Sequence, residues 1–167
     1  MLPAIPTFAE IVDAFQEALP HHRDVQAPLE LLLTATAARA VGLWCVAGDS
    51  LLQLGFFAHP DMDPQTALDF ATATECVGLD QLGLGIVKAA VSRAPAVATL
   101  SPSNTLGASA SWLERFGARQ SFAAPVLHGS QVVGVLAIST AAVHGPDAAE
   151  WNLVEQLAER LGPMLAS

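Results

Sequence analysis

Two places in this 167-residue chain restrict its fold more than any others, because each pairs short apolar runs across a connection tight enough to demand a hairpin. Leu43–Ala47 and Leu51–Ala58 flank Gly48-Asp49-Ser50, and Ser121–Leu127 and Val132–Thr140 flank His128-Gly129-Ser130-Gln131. Runs of this length, rich in branched and aromatic residues and separated by a glycine-bearing turn, predict adjacent antiparallel strands. Helical periodicity brackets them. Thr7 and Glu10 form a capping-box pattern ahead of Phe8, Ile11, Val12, Phe15 and Leu19, and Pro20 stops that run. Pro28 suits a first helical turn. Leu29, Leu32, Leu33, Thr36 and Ala40 mark a second helix that Gly42 is expected to end.

Between the hairpins the pattern is shorter and more varied. It predicts a helix from Asp63 to Ala73, a short strand from Cys76 to Leu79, a helix from Gly83 to Arg93 and a strand from Ala96 to Leu100. A loop follows from Ser101 to Gly107, then one helical turn from Ser111 to Phe116. After the second hairpin, Gly145-Pro146-Asp147 is read as starting a helix that carries Trp151, Val154, Leu157, Ala158, Leu161 and Leu165 on one side. The order helix, hairpin, crossover, hairpin, helix implies an α+β domain. Its central antiparallel sheet carries the N- and C-terminal helices on one face and the helix and loop crossover on the other.

Composition then excludes several classes of function. Seven Lys and Arg face sixteen Asp and Glu, a net charge of −9, and the basic residues nowhere cluster, so nucleic acid is not an expected partner. Arg39, Asp49, Lys88 and Arg93 break the apolar runs well short of a membrane span, and the first residues carry no basic secretory leader. A cytoplasmic protein without a membrane segment is the expectation. Cys45 and Cys76 lack CxxC spacing and are read as buried thiols rather than as metal ligands or a disulfide. His59-Pro60-Asp61-Met62-Asp63 and His21-His22 read as a capped turn and a solvated helix end, not as metal sites. Gly83-x-Gly85 lacks the rest of a dinucleotide fingerprint, Ser109 and Ser111 miss a nucleophile elbow, and His128 sits in a turn.

Five segments carry a resemblance to a known family: Val41-Gly42-Leu43-Trp44, the run Gly83 to Val91, Ala124 to Gly129, Val132 to Ile138, and the helix Asp147 to Ala166. In order and spacing they resemble the GAF family from about Leu29 to Ala166. The resemblance implies a division into residues 1–28, an N-terminal helix and connector serving as a dimerisation element, and a GAF-like domain over 29–167. It also implies a ligand pocket on the crossover face. Trp44, Phe57, Val87, Trp112, Ser121, Ala137 and Ser139 are the residues expected there.

The family's subclasses are tested by their own residues. Free methionine sulfoxide reductases resemble this chain in length, yet Val87 stands where that group places a cysteine, and Ser101 to Gln120 holds none. Cys76 is offset by one residue from another such position, and Ser121, Ala137 and Ser139 replace the acidic substrate-holding residues. No Cys-His pair is present for a bilin, and the single lysine, Lys88, lacks the neighbours of a cyclic-nucleotide signature. The expectation is a sensory or regulatory module, not an enzyme, that binds a small neutral molecule and passes its signal to an effector protein in trans. A dimer scaffold without a ligand and a reductase-like enzyme stand as alternatives. Phe8, Val12, Phe15, Trp151 and Leu161 give the terminal helices apolar surface on which a homodimer is expected.

Overall fold

A computed structural model describes residues 4–21, 23–100 and 107–166. Its strands are β1 (Ala38–Ala47), β2 (Ser50–Ala58), β3 (Cys76–Gly78), β4 (Ala96–Thr99), β5 (Gln120–His128) and β6 (Gln131–Thr140). They form one antiparallel sheet in the order β3-β2-β1-β6-β5-β4. Both hairpins close in two residues, Gly48-Asp49 and Gly129-Ser130, and each turn opens on a glycine at φ 63°. That left-handed conformation is cheap only for glycine, which is why these turns were visible in the sequence.

Helices α1 (Phe8–Ala18), α2 (Gln26–Thr36) and α6 (Ala149–Ala166) cover one face of the sheet. The capping box of α1 is present in full, with the Thr7 hydroxyl accepting from the Glu10 amide at 3.2 Å and the Glu10 carboxylate accepting from the Thr7 amide at 3.0 Å. On the opposite face lie α3 (Pro64–Ala73), α4 (Gly85–Ser92) and α5 (Gly107–Phe116), with Trp44 and Leu51 buried beneath them. Two cores thus share the strands between them, one for each face.

Several sequence expectations need correction. Helix α2 ends at Thr36, not Gly42: Ala37 turns left-handed at φ 52°, and Ala40 is already in β1. Helix α5 is ten residues long rather than a single turn, and α6 begins at Ala149, after the Gly145-Pro146-Asp147 turn. The Ser101–Gly107 loop lies outside the described residues except for Gly107, which opens α5. Neither thiol is fully buried. Cys76 is exposed on the edge strand, and Cys45 is half-buried, its pKa raised by desolvation.

The terminal-helix residues assigned to a dimer surface are used inside the chain. Phe15 and Leu161 are wholly buried, Val12 nearly so, Phe8 packs against the same core, and Trp151 stacks on Phe122 at 4.8 Å. Joining α1, α2 and α6 over the larger strands buries most of these apolar stripes within the chain and leaves Phe8 and Trp151 part-exposed.

Candidate functional site

The strand register builds an unusually small-sided floor on the face covered by α3, α4 and α5. Ser121, Ser139 and Ala40 form one row across β5, β6 and β1, and Ala123, Ala137 and Gly42 form the next. Above this floor is a cavity of about 60 Å³. Phe56, Phe70, Trp112 and Phe116 make its aromatic wall, while Leu84, Gly85 and Ile86 bring the start of α4 to its edge. Phe70 is the hub of the wall, meeting Phe56 at 4.9 Å, Trp112 at 5.0 Å and Phe116 at 5.0 Å between ring centroids, the last two edge-on. Edge-to-face contacts of this kind suit the ring quadrupoles and hold the rings against one another.

Trp44 closes one end. It is buried, and its indole Nε1 donates to the Thr74 carbonyl at 2.9 Å. Thr74 is fixed in turn: its hydroxyl donates to Phe70 O at 2.8 Å and accepts from Gln53 Nε2 at 3.0 Å. Elsewhere in the lining the Ser109 hydroxyl accepts from the Gly85 amide at 2.8 Å, joining α5 to the first residue of α4. Among the described residues Ser139 Oγ reaches only the Ala40 carbonyl, at 3.5 Å, the outer limit of a hydrogen bond.

Among the described residues, no charged side chain lines this cavity. Charges instead tie the lid from outside. Arg39 on β1 donates through Nε to the Phe116 carbonyl at 3.0 Å and pairs with Asp61, which also meets His59 Nδ1 at 2.9 Å. Arg115 on α5 pairs with Asp69 on α3 at 2.6 Å while covering the Trp112 ring at 4.8 Å. The Arg39 bond holds the Asp61 carboxyl below the usual aspartate range, and Arg115 does the same for Asp69.

The structure brings together Trp44, Trp112, Ser121, Ala137 and Ser139 of the expected pocket set. Phe57 and Val87 do not line the cavity. Phe57 pairs with Val41 and packs on the helix face, and Phe56 takes the lid position beside Gly42. A β-bulge at Leu54 causes this exchange. Leu43 pairs with Gly55 but Trp44 with Gln53, so the alternation counted from Leu51 changes phase before it reaches Phe57. Val87 is wholly buried one residue past the α4 positions that touch the cavity. Sequence reasoning also missed Phe56, Phe70, Phe116 and Ser109. Ala123 was readable from its alternation with Ser121.

Other residues weighed from the sequence have local roles. Asp63 accepts from the Thr66 hydroxyl at 3.1 Å, Met62 is buried, and His128 lies exposed on its hairpin. Lys88 and Arg119 point outward. His21 is exposed, and His22 lies outside the described residues. Within those residues no helix is long and apolar enough to cross a membrane.

The sequence matches the family described as GAF domain over residues 22–164. No curated protein sequence matches the chain. Among solved structures it is similar to the A. Aeolicus nlh2 GAF domain in an inactive state, with 15% identity over 95% of this chain and 93% of that one at a TM-score of 0.68. It is also similar to the phycoerythrobilin-bound GAF domain of a cyanobacterial phytochrome, with 10% identity over 98% and 96% of the two chains at a TM-score of 0.68. A third is the free methionine-R-sulfoxide reductase of Neisseria meningitidis in complex with its substrate, with 15% identity over 95% and 86% at a TM-score of 0.63. At these identities the likeness establishes the fold alone.

Proposed function

This chain belongs to the GAF domain family, and we propose that it is a sensory module that takes one small, neutral molecule into the space between sheet and lid. The lining carries this reading: aromatic walls, a floor of small residues, and no charged side chain among the described residues. A carboxylate or ammonium brought there would lose its hydration with no opposite charge to replace it, at a cost of several kcal/mol. A neutral molecule instead gains apolar contact and finds the Ser121 and Ser139 hydroxyls to orient a polar atom. Output passes to an effector protein in trans, with homodimerisation as a second role of the module. A dimer would use surfaces other than the buried faces of α1 and α6.

Thermal shift against neutral metabolites, together with mass spectrometry of material released from gently purified protein, tests this. A ligand at about a hundred times its Kd stabilises the fold by about 2.7 kcal/mol. The expected result is a hit that perturbs tryptophan fluorescence and is abolished by Ala137→Leu, which fills the floor. Hits that bind this variant with unchanged affinity would sink the assignment.

We read the chain as a binding module and not as a reductase. A substrate-bound reductase shares the fold, but neither cysteine lines the cavity. Cys45 and Cys76 lie in one row with Leu52 between them. Two strand spacings put their Cα atoms about 10 Å apart, beyond the roughly 7 Å that a disulfide spans. Turnover of free methionine sulfoxide with a thiol reductant would reverse this choice.

A further inference from the structure

Trp44 and Gly42 sit on the same face of β1, two residues apart, and the indole occupies the space a side chain at Gly42 would need. A Cβ built there would come within 2.6 Å of Trp44 Cζ3. The ring therefore lies over the backbone of its own strand, where the cavity floor would otherwise continue beyond Ala123 and Ala137. It is held in place by Nε1 on the Thr74 carbonyl and by the edge of Phe70, whose centroid is 6.4 Å away at 90°. Swinging the indole aside would strand that buried N–H, because Thr74 O is its hydrogen-bond partner.

What remains is small. A water molecule needs about 10–15 Å³ of such space, so 60 Å³ offers roughly four to six water-sized positions, whereas a cavity that takes benzene measures about 150 Å³. We infer that Trp44 sets the size limit of this site, restricting it to short-chain neutral molecules with one hydrogen-bonding group and excluding planar rings. This rests on the reading of the cavity as a ligand site. In the complex the apolar end packs toward the Trp44 and Phe70 rings, and the polar atom lies at the Ser121 and Ser139 hydroxyls at the other end of the floor. Selection is by exclusion, since an aromatic ring meets the indole before it meets the hydroxyls.

Isothermal titration and amide NMR with isopropanol, acetone, benzene and indole test the proposal on wild type, Trp44→Ala and Trp44→Phe. Wild type is expected to respond to isopropanol or acetone and not to the rings. Trp44→Ala gains benzene and indole binding by about tenfold or more, and indole, which replaces the deleted side chain, raises its melting temperature. Should Trp44→Ala fail to fold, Trp44→Phe vacates part of the same space and is expected to gain benzene alone. Wild type binding either ring as tightly as the folded variant overturns the size limit while leaving the sensing reading intact. A folded variant that binds no ring overturns it as well. Wild type that answers to no neutral probe, beside a variant that binds benzene, removes the sensing reading and the ligand class with it.

Discussion

The two faces of one sheet are packed in opposite ways. On the helix face, Ile11, Phe15, Leu29, Leu32, Leu136 and Leu157 are all wholly buried and interlock with one another. On the lid face the strands offer Ala40, Gly42, Ser121, Ala123, Ala137 and Ser139, and the rings above do not reach down to fill the space. Along β5 and β6 the helix-facing Phe122 and Leu136 alternate with the lid-facing Ser121, Ala123, Ala137 and Ser139, so on these strands the difference lies in side-chain size and not in backbone. The helix face is close-packed throughout, whereas the lid face is close-packed around Trp44, Leu51, Val87 and Leu113 but not over the small-residue floor. The unfilled face gives up dispersion contacts and retains a cavity.

Truncation is expected to separate the faces most clearly. Phe15→Ala should lower stability by about 3–5 kcal/mol, while Phe56→Ala, half-buried on the lid side, should lose about 1–2 kcal/mol. Urea denaturation of both variants checks this, and equal losses would erase the distinction.

Enlargement is expected to act more gently and in a face-dependent way. Ala124 points into the filled core and Ala137 into the cavity. Ala124→Leu should destabilise by about 1–3 kcal/mol through overpacking. Ala137→Leu should stay within about 1.5 kcal/mol of wild type, read from the same denaturation midpoints. A large loss for Ala137→Leu would mean that the floor has no room above it.

Acid should produce the smallest effect and only on the lid. Asp61 and Asp69 have carboxyl pKa values depressed by Arg39 and Arg115. A depressed folded pKa gives a contribution that is complete above the ordinary aspartate value of about 3.9 and lost as the pH falls through the lower folded value. Both carboxylates are exposed and screened, so the loss is local. Hydrogen exchange should show α3 and α5 opening in that window while α1 and α6 stay protected. The Asp61→Asn, Asp69→Asn double variant should open without such a pH dependence.

Much of the fold was legible because its signals are local. The capping box at Thr7, the glycines of two-residue turns and the helical spacing of Val154, Leu157, Ala158 and Leu161 each state a conformation within a few residues. Ser121, Ala137 and Ser139 were placed on the floor by the resemblance to the GAF family, and the hairpin register puts Ser121 opposite Ser139. The end of α2 was not, because Ala37 adopts a left-handed turn that no glycine or proline announces.

The sequence by itself determined the hairpins, the bracketing helices and the acidic balance, all consequences of conformational preference and composition over short stretches, while the small residues of the floor came from the resemblance to a family. Only the tertiary structure decided which phenylalanine of β2 faces the lid, that most of the apolar stripes of α1 and α6 is buried within the chain, and how much space Trp44 leaves. The bulge at Leu54 reverses a face through pairing with another strand, and burial of Phe15 or Leu161 depends on partners far away in the chain. A cavity's volume is what remains after every surrounding side chain has found its place, so no single segment encodes it.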